Sequence, residues 1–539
     1  MPAATRVRWV LAGAASVALA AGGCSSSGGG GSSSDSGKTF SYQSSEPQNP
    51  LQPANANEVG GGRILQNLFR GLVDYDPGDA KIRMQVADKI ETSDSQTFAI
   101  TLKDGWKFHD GTPVKAKNFV DAWNWGATTT NNQINSSWFS DIEGYKDVHP
   151  DSGQPAATTM SGLTVVDDTH FTVKLSGKVS YFEYKLGYIA FSPLPDAFFN
   201  DPSGYGQKPV GNGPYQFVSW SHNQQVVTKA FPDYQGVDKP KNGGVVFRMY
   251  NTSEAAYADL LSSNLDVMDQ VPPSALATYR SDLGDRAIDE PQGAIQNIGF
   301  TLYQADWSGP AKAKVRQGLS MAIDRDTITK TVLQGSRKSA SAWVAEGVEG
   351  YKAGVCGDNC TFDPAKAKQL ITEGGGVPGN KLTITYNADG GHKEWVDAVC
   401  NSIRQSTGVD CTGDPKPDFK TARAAITGHQ INGAFRTGWV QDYPLNANFL
   451  ADVYRTGAAS NDFGYSSPKF DQLAAKADQA ASVADTVTGY QQAEAVLPGD
   501  MPAIPLWYYR TNSGYSTKVQ NVKFDSFGNP AWTQVEVKG

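Results

Sequence analysis

The sequence predicts a mixed α/β fold, and three observations carry that expectation. A strand, a helix and a second strand follow one another between residues 382 and 411. Two earlier segments alternate apolar and polar residues as half-buried strands do, and no repeat of 20 to 50 residues points to a solenoid or propeller. With 539 residues, 39% hydrophobic and 19% charged, the chain is long enough for two or three core-bearing units.

The N-terminus reads as an export signal. Arg6 and Arg8 form a short basic region, and Val10 to Ala21 is an apolar run shorter than the about 20 residues a spanning helix needs. The run ends in Ala21-Gly22-Gly23-Cys24, small residues before a cysteine that resemble a bacterial lipobox. Residues 1–23 are expected to be removed and Cys24 to carry lipid, palmitate included. A tether follows at 24–38, where SSSGGGGSSSDSG has no apolar side chain to bury. Its place would be the outer face of the cell membrane.

The strand segments are residues 98 to 103 (FAITLK) and 163 to 175 (LTVVDDTHFTVKL), the second with a turn-forming Asp pair inside it. In WKFHDGTPV the Asp110-Gly111 pair makes a tight turn, and Thr112-Pro113 is expected to start the next helix. His109 in this block is assigned a structural hydrogen bond. VRQGLSMAIDRD reads as an amphipathic helix, with Arg316 and Asp324 expected in structural ion pairs. Asp363-Pro364 caps and opens a helix that Gly374 to Gly376 ends. LTITYN at 382–387, the helix at 393–405 and GVDC then form the parallel βαβ unit.

Four cysteines remain beyond Cys24, an even number that suits an oxidising compartment. Local pairing is simplest: Cys356 with Cys360 around a small loop, and Cys400 with Cys411 stapling a helix to the following strand. Zinc is the weaker reading, because the spacing is not a repeated CxxC and no His lies near the first pair.

Composition also excludes functions. A formal net charge of -8 argues against a phosphate-backbone binder, so nucleic acid is not expected as a partner. HExxH, GxSxG and P-loop motifs are absent from the sequence, so no enzyme and no cofactor are expected. The GxGxxG match at Gly374 to Gly379 follows a helix and precedes a strand, the wrong order for a dinucleotide site. Six scattered histidines offer no metal shell.

Several ordered segments resemble the oligopeptide-, dipeptide- and nickel-binding family of solute-binding proteins that serve ABC importers, family 5. They are NPLQP at 49–53, ILQNLFRGLVDYDP at 64–77, WKFHDGTPVKAKNFVDAW at 106–123, VGNGPYQF at 210–217, VRQGLSMAIDRDTI at 315–328 and YSSPKFDQLAAKA at 465–477. The resemblance implies a hinged, two-lobed, periplasmic-binding-protein-like fold of type II with an extra inserted domain. Lobe I would combine residues 39–58, 193–290 and 503–539, with the insertion at 59–192; lobe II would be 291–502.

The same resemblance points to site residues. In GAFRTGWVQDYPLN, Asp442 matches the aspartate that meets a peptide's α-ammonium group, a cation with three donors suited to a desolvated carboxylate. Gly438 and Trp439 can offer backbone groups to an extended peptide. Arg436 and His392 match cleft positions that could meet a C-terminal carboxylate, and Glu46 matches a cleft-lining acid. The residues of LWYYR at 506–510 belong to the core. The function so implied is capture of short peptides and delivery to an ABC permease by a monomer. The alternatives are another solute (a metal chelate, haem or an oligosaccharide), peptide-signal reception and, last, a secreted hydrolase.

Overall fold

Two long strands, Ala287–Phe300 and Ala503–Gly514, run antiparallel through the middle of the molecule and organise the rest. The computed structural model describes residues 37–56, 58–458 and 460–538; the export signal, Cys24 and most of the tether lie outside them. The two strands pair from Ala287–Pro291 with Arg510–Gly514, lose register between Pro291 and Ile295, and pair again from Ile295–Gly299 with Ala503–Tyr508. Pro291 has no amide hydrogen to give the ladder, and the extra residues around it form a bulge that bends the pair.

On the far side of the bulge these strands sit inside a six-stranded sheet ordered 337–339, 503–514, 287–300, 434–440, 381–387 and 410–416. Lys381–Asn387 and Asp410–Lys416 are parallel neighbours joined by the helix Lys393–Thr407, the βαβ unit read from the sequence. Gly408 ends that helix in the left-handed region, and Asp363 caps the helix Pro364–Glu373 through the Lys366 amide. Both disulfides form as expected: Cys356–Cys360, and Cys400–Cys411 from helix to strand.

On the near side lies a four-stranded sheet of residues 40–44, 245–249, 225–230 and 215–221. A second four-stranded sheet, residues 87–91, 97–102, 170–174 and 163–165, falls within the insertion. The buried apolar side chains separate accordingly. One cluster gathers residues from 295 to 508 together with Tyr181 and Tyr184, another residues from 40 to 288 with 519 to 535.

Two expectations need correction. The helix after the Asp110-Gly111 turn begins at Ala116, because Pro113 pairs back onto Lys107 as a short bridge and keeps the chain extended. Arg316 and Asp324 are structural, but neither forms an ion pair among the described residues. Buried Arg316 donates to the carbonyls of Met501, Trp307 and Asp500, and Asp324 caps the helix Arg325–Thr331 through the Thr327 amide. A guanidinium closing on a ring of carbonyls satisfies its donors without a second charge. His109 has its structural role, between Gly211 N–H and the Gly213 carbonyl, and burial lowers its pKa to about 4.

Candidate functional site

A cavity of about 520 Å³ opens between the segments 56–83 and 187–192, the C-terminal segment 525–533 and the end of the strand Ala434–Val440. Its walls come from the helix Val59–Leu68 and the chain after it, from Gly187–Ile189, from Val440–Asp442 and from residues 525–533. Arg63 binds the first and last of these walls together. Its Nε donates to Asn529 at 2.9 Å and Nη2 to the Gly528 carbonyl at 2.7 Å, while Nη1 pairs with Asp269 at 2.6 Å. Phe527 stacks on Tyr75 with ring centres 5.4 Å apart.

Asp442 enters this cavity at the end of its strand. Burial, reinforced by the neighbouring Asp452 charge, raises its pKa to about 7; Asn448 and Lys185 act in the opposite direction. No Lys, Arg or His among the described residues forms an ion pair with it. The carboxylate is half-buried, and Lys185 is the cation whose charge reaches it without ion-pair contact. Tyr75 and Tyr188 share the wall with it, and Tyr188 is fixed by stacking on Trp138 at 3.7 Å.

Asn448, fully buried on the helix Asn446–Tyr454, holds the carboxylate in place. Its Oδ1 accepts the Asp442 amide at 2.8 Å and the Trp439 indole N–H at 3.0 Å. Its Nδ2 donates to Asp452 at 2.8 Å and to Asp442 at 3.4 Å. Trp439 is thereby a support for Asp442 through its ring.

Gly438 packs against the adjacent strand, where a Cβ would lie 2.5 Å from the Ile295 carbonyl. On its other edge the strand Ala434–Val440 pairs with Lys381–Asn387 only at Ala434 and Phe435. Thr437 to Val440 thus have no ladder partner on that side among the described residues, and Val440 lines the cavity.

The remaining candidates sit elsewhere. Arg436 is half-buried in the same strand and reaches Gln296 Oε1 at 3.4 Å. His392 is buried at the start of the helix Lys393–Thr407, with Nδ1 accepting the Trp395 indole at 3.0 Å. Glu46 holds His222 Nδ1 and the Asn223 amide, both at 2.8 Å. None of these three lines the cavity that contains Asp442. Leu506, Trp507 and Tyr508 are core, while Tyr509 lies under the Arg337 guanidinium. Sequence reasoning missed Asn448, the arginines of the 59–83 wall and the whole 525–533 loop. An asparagine inside the apolar run ANFLADVY was the one available signal.

Residues 81–461 match the family model described as "Bacterial extracellular solute-binding proteins, family 5 Middle". The chain belongs to this family of solute-binding proteins. The Bacillus subtilis oligopeptide-binding protein OppA is 25% identical over 485 residues, 85% of each chain. The Escherichia coli periplasmic murein peptide-binding protein MppA is 27% identical over 473 residues, again 85% of each. Among solved structures, unliganded open MppA superposes with a TM-score of 0.78 at 23% identity, covering 93% of this chain and 97% of that one. Haemophilus influenzae OppA, in complex with RPPGFSPFR, gives 0.74 at 20% identity, covering 93% and 99%. These likenesses establish the two-lobed family 5 fold. Among the described residues no helix is long and apolar enough to cross a membrane, and no group of His, Cys, Asp and Glu could hold a metal ion.

Proposed function

We propose that this protein captures short peptides by their free α-ammonium group at Asp442 and delivers them to an ABC importer. The observation that carries this reading is the half-buried Asp442 carboxylate, which lines the cavity and has no ion-paired cation among the described residues. An ammonium group supplies the missing charge and three donors. The unpaired edge of Thr437 to Val440 suits an extended backbone, which would add to the sheet as a strand and be recognised regardless of sequence. Relatives named for oligopeptide and murein-peptide binding point the same way.

Closure follows from bending at Pro291–Ile295, with lobe I at 39–58, 193–290 and 503–539, the insertion at 59–192 and lobe II at 291–502. Cleavage before Cys24 and lipidation of its thiol would hold the monomer on the outer face of the membrane through the tether at 24–38. Calorimetry with short free peptides, their N-acetylated forms and an Asp442→Ala variant tests the reading. Acetylation and the substitution should each remove most of the affinity. Equal binding of acetylated peptides would show that Asp442 is not the ammonium site.

A further inference from the structure

Three arginines line the cavity, and two of them meet carboxylates. Arg63 pairs with Asp269, and Arg83 pairs with Asp74 at 3.0 Å and Asp238 at 2.8 Å. Arg70 is the third. Its Nε donates to the Tyr234 hydroxyl at 3.1 Å, and its Nη1 to the carbonyls of Phe69 and Gln66. Its Nη2 has no hydrogen-bond acceptor, and no carboxylate lies in ion-pair range, among the described residues. Asp74, whose charge Arg70 feels, is already engaged: Arg83 binds both its oxygens and Gln85 donates to Oδ2 at 2.8 Å.

Two arginines of the core use their nitrogens differently from Arg70, whereas Arg337, stacked on Tyr509 away from the cavity, donates to the Ser336 carbonyl. Arg316 and Arg325 also lack a carboxylate partner, but each places all three of its nitrogens on protein acceptors. Both belong to the core of the far lobe and neither lines the cavity. Arg70 alone among these three faces the cavity and keeps a terminal nitrogen for something else. A mostly buried guanidinium with a spare N–H pair is suited to a carboxylate, which it can bind at charge-assisted strength.

We infer that Arg70 anchors a carboxylate of the bound ligand, so that one cavity holds an ammonium at Asp442 and an anionic group at Arg70. The inference rests on the peptide reading above. In a peptide that carboxylate comes either from the C-terminus or from an acidic side chain, and either would be drawn from the insertion's side of the cleft rather than from lobe II.

The test is calorimetry of the protein and of Arg70→Gln against Ala-Glu-Ala and Ala-Gln-Ala, each as free acid and as C-terminal amide. The wild type should prefer the charged member of at least one pair, Glu over Gln or acid over amide, by about tenfold. Arg70→Gln should bring that ratio to about one, with the loss confined to the charged peptide, and Arg70→Lys should restore part of it. The Glu/Gln ratio reports a side-chain carboxylate and the acid/amide ratio the terminus. A variant that keeps both wild-type ratios, or a wild type with neither preference, would overturn the role of Arg70 and leave Asp442 untouched. A wild type that binds none of the four peptides would overturn the peptide reading itself.

Discussion

The Asn448 carboxamide grips Asp442 at both ends, accepting its backbone N–H at 2.8 Å and facing its carboxylate at 3.4 Å. The same carboxamide also accepts the Trp439 indole and donates to Asp452 at 2.8 Å, so it ties Asp442 into a network of three side chains. Asn448→Ala strands the Trp439 indole, the Asp442 amide and one contact to Asp452 in a buried setting. We expect a stability loss of about 1–3 kcal/mol, read from thermal or denaturant unfolding, and a drop in peptide affinity of at least about tenfold, read by calorimetry.

Protons compete with the ammonium for Asp442. Its pKa of about 7 in the empty cavity reflects burial first and the Asp452 charge second. A cationic ligand binds the carboxylate form, so affinity for free-amine peptides should fall as pH drops below about 7, approaching tenfold per pH unit. Titrations from pH 8 to 5 check this. Asp442→Asn should bind weakly and without that slope.

Unliganded stability should run the other way. Burial raises Asp442 and Glu494 to about 7 and Asp525 to about 6, all above the ordinary 3.8–4.5 of the unfolded carboxyls. In that window the folded chain holds more protons than the unfolded one, so these groups destabilise the fold progressively as pH rises from about 4 to 7. Thermal melts of the empty protein should show a higher Tm near pH 5 than pH 8 as far as these acids contribute. Asp442→Asn should flatten the difference, and so should saturating peptide.

Under the proposed closure, contacts between the segment around Tyr184 and residues of the 295–508 core would hold the closed form. The Tyr184 hydroxyl donates to the Glu349 carboxylate at 2.7 Å, and Ser180 reaches the Thr486 hydroxyl at 2.6 Å. Tyr184→Phe removes one charge-assisted bond across that contact, worth about 1 kcal/mol or more. Peptide should dissociate several-fold faster in stopped-flow measurements, with the association rate little changed.

The Cys400–Cys411 bridge spans 11 residues and ties a helix to the strand after it. Replacing both cysteines by alanine should cost about 2–3 kcal/mol of unfolding free energy. The Cys356–Cys360 loop, whose cysteines lie four positions apart, should matter less because it constrains a shorter stretch of unfolded chain.

What could be read from the residues was mostly local. Gly408 and the alternating apolar positions of 382–387 place the first strand and the helix of the βαβ unit within two residues, while the second strand runs on to Lys416, five residues past the GVDC segment read for it. Pro113 misled because its fixed φ suits a short bridge as well as a first helical turn. Asp442 was legible through a motif, but its support by Asn448 was not. The cavity's arginines were invisible for a plainer reason: Arg63 meets Asn529 across 466 residues, and no periodicity reports such a contact.

That same contact bears on how the protein is made. The helix carrying Arg63 is synthesised 466 residues before Asn529, so residues 525–533 can wall the cavity against it only once the whole intervening chain exists. The cavity is thus a product of late assembly, completed by a contact that no local folding unit contains.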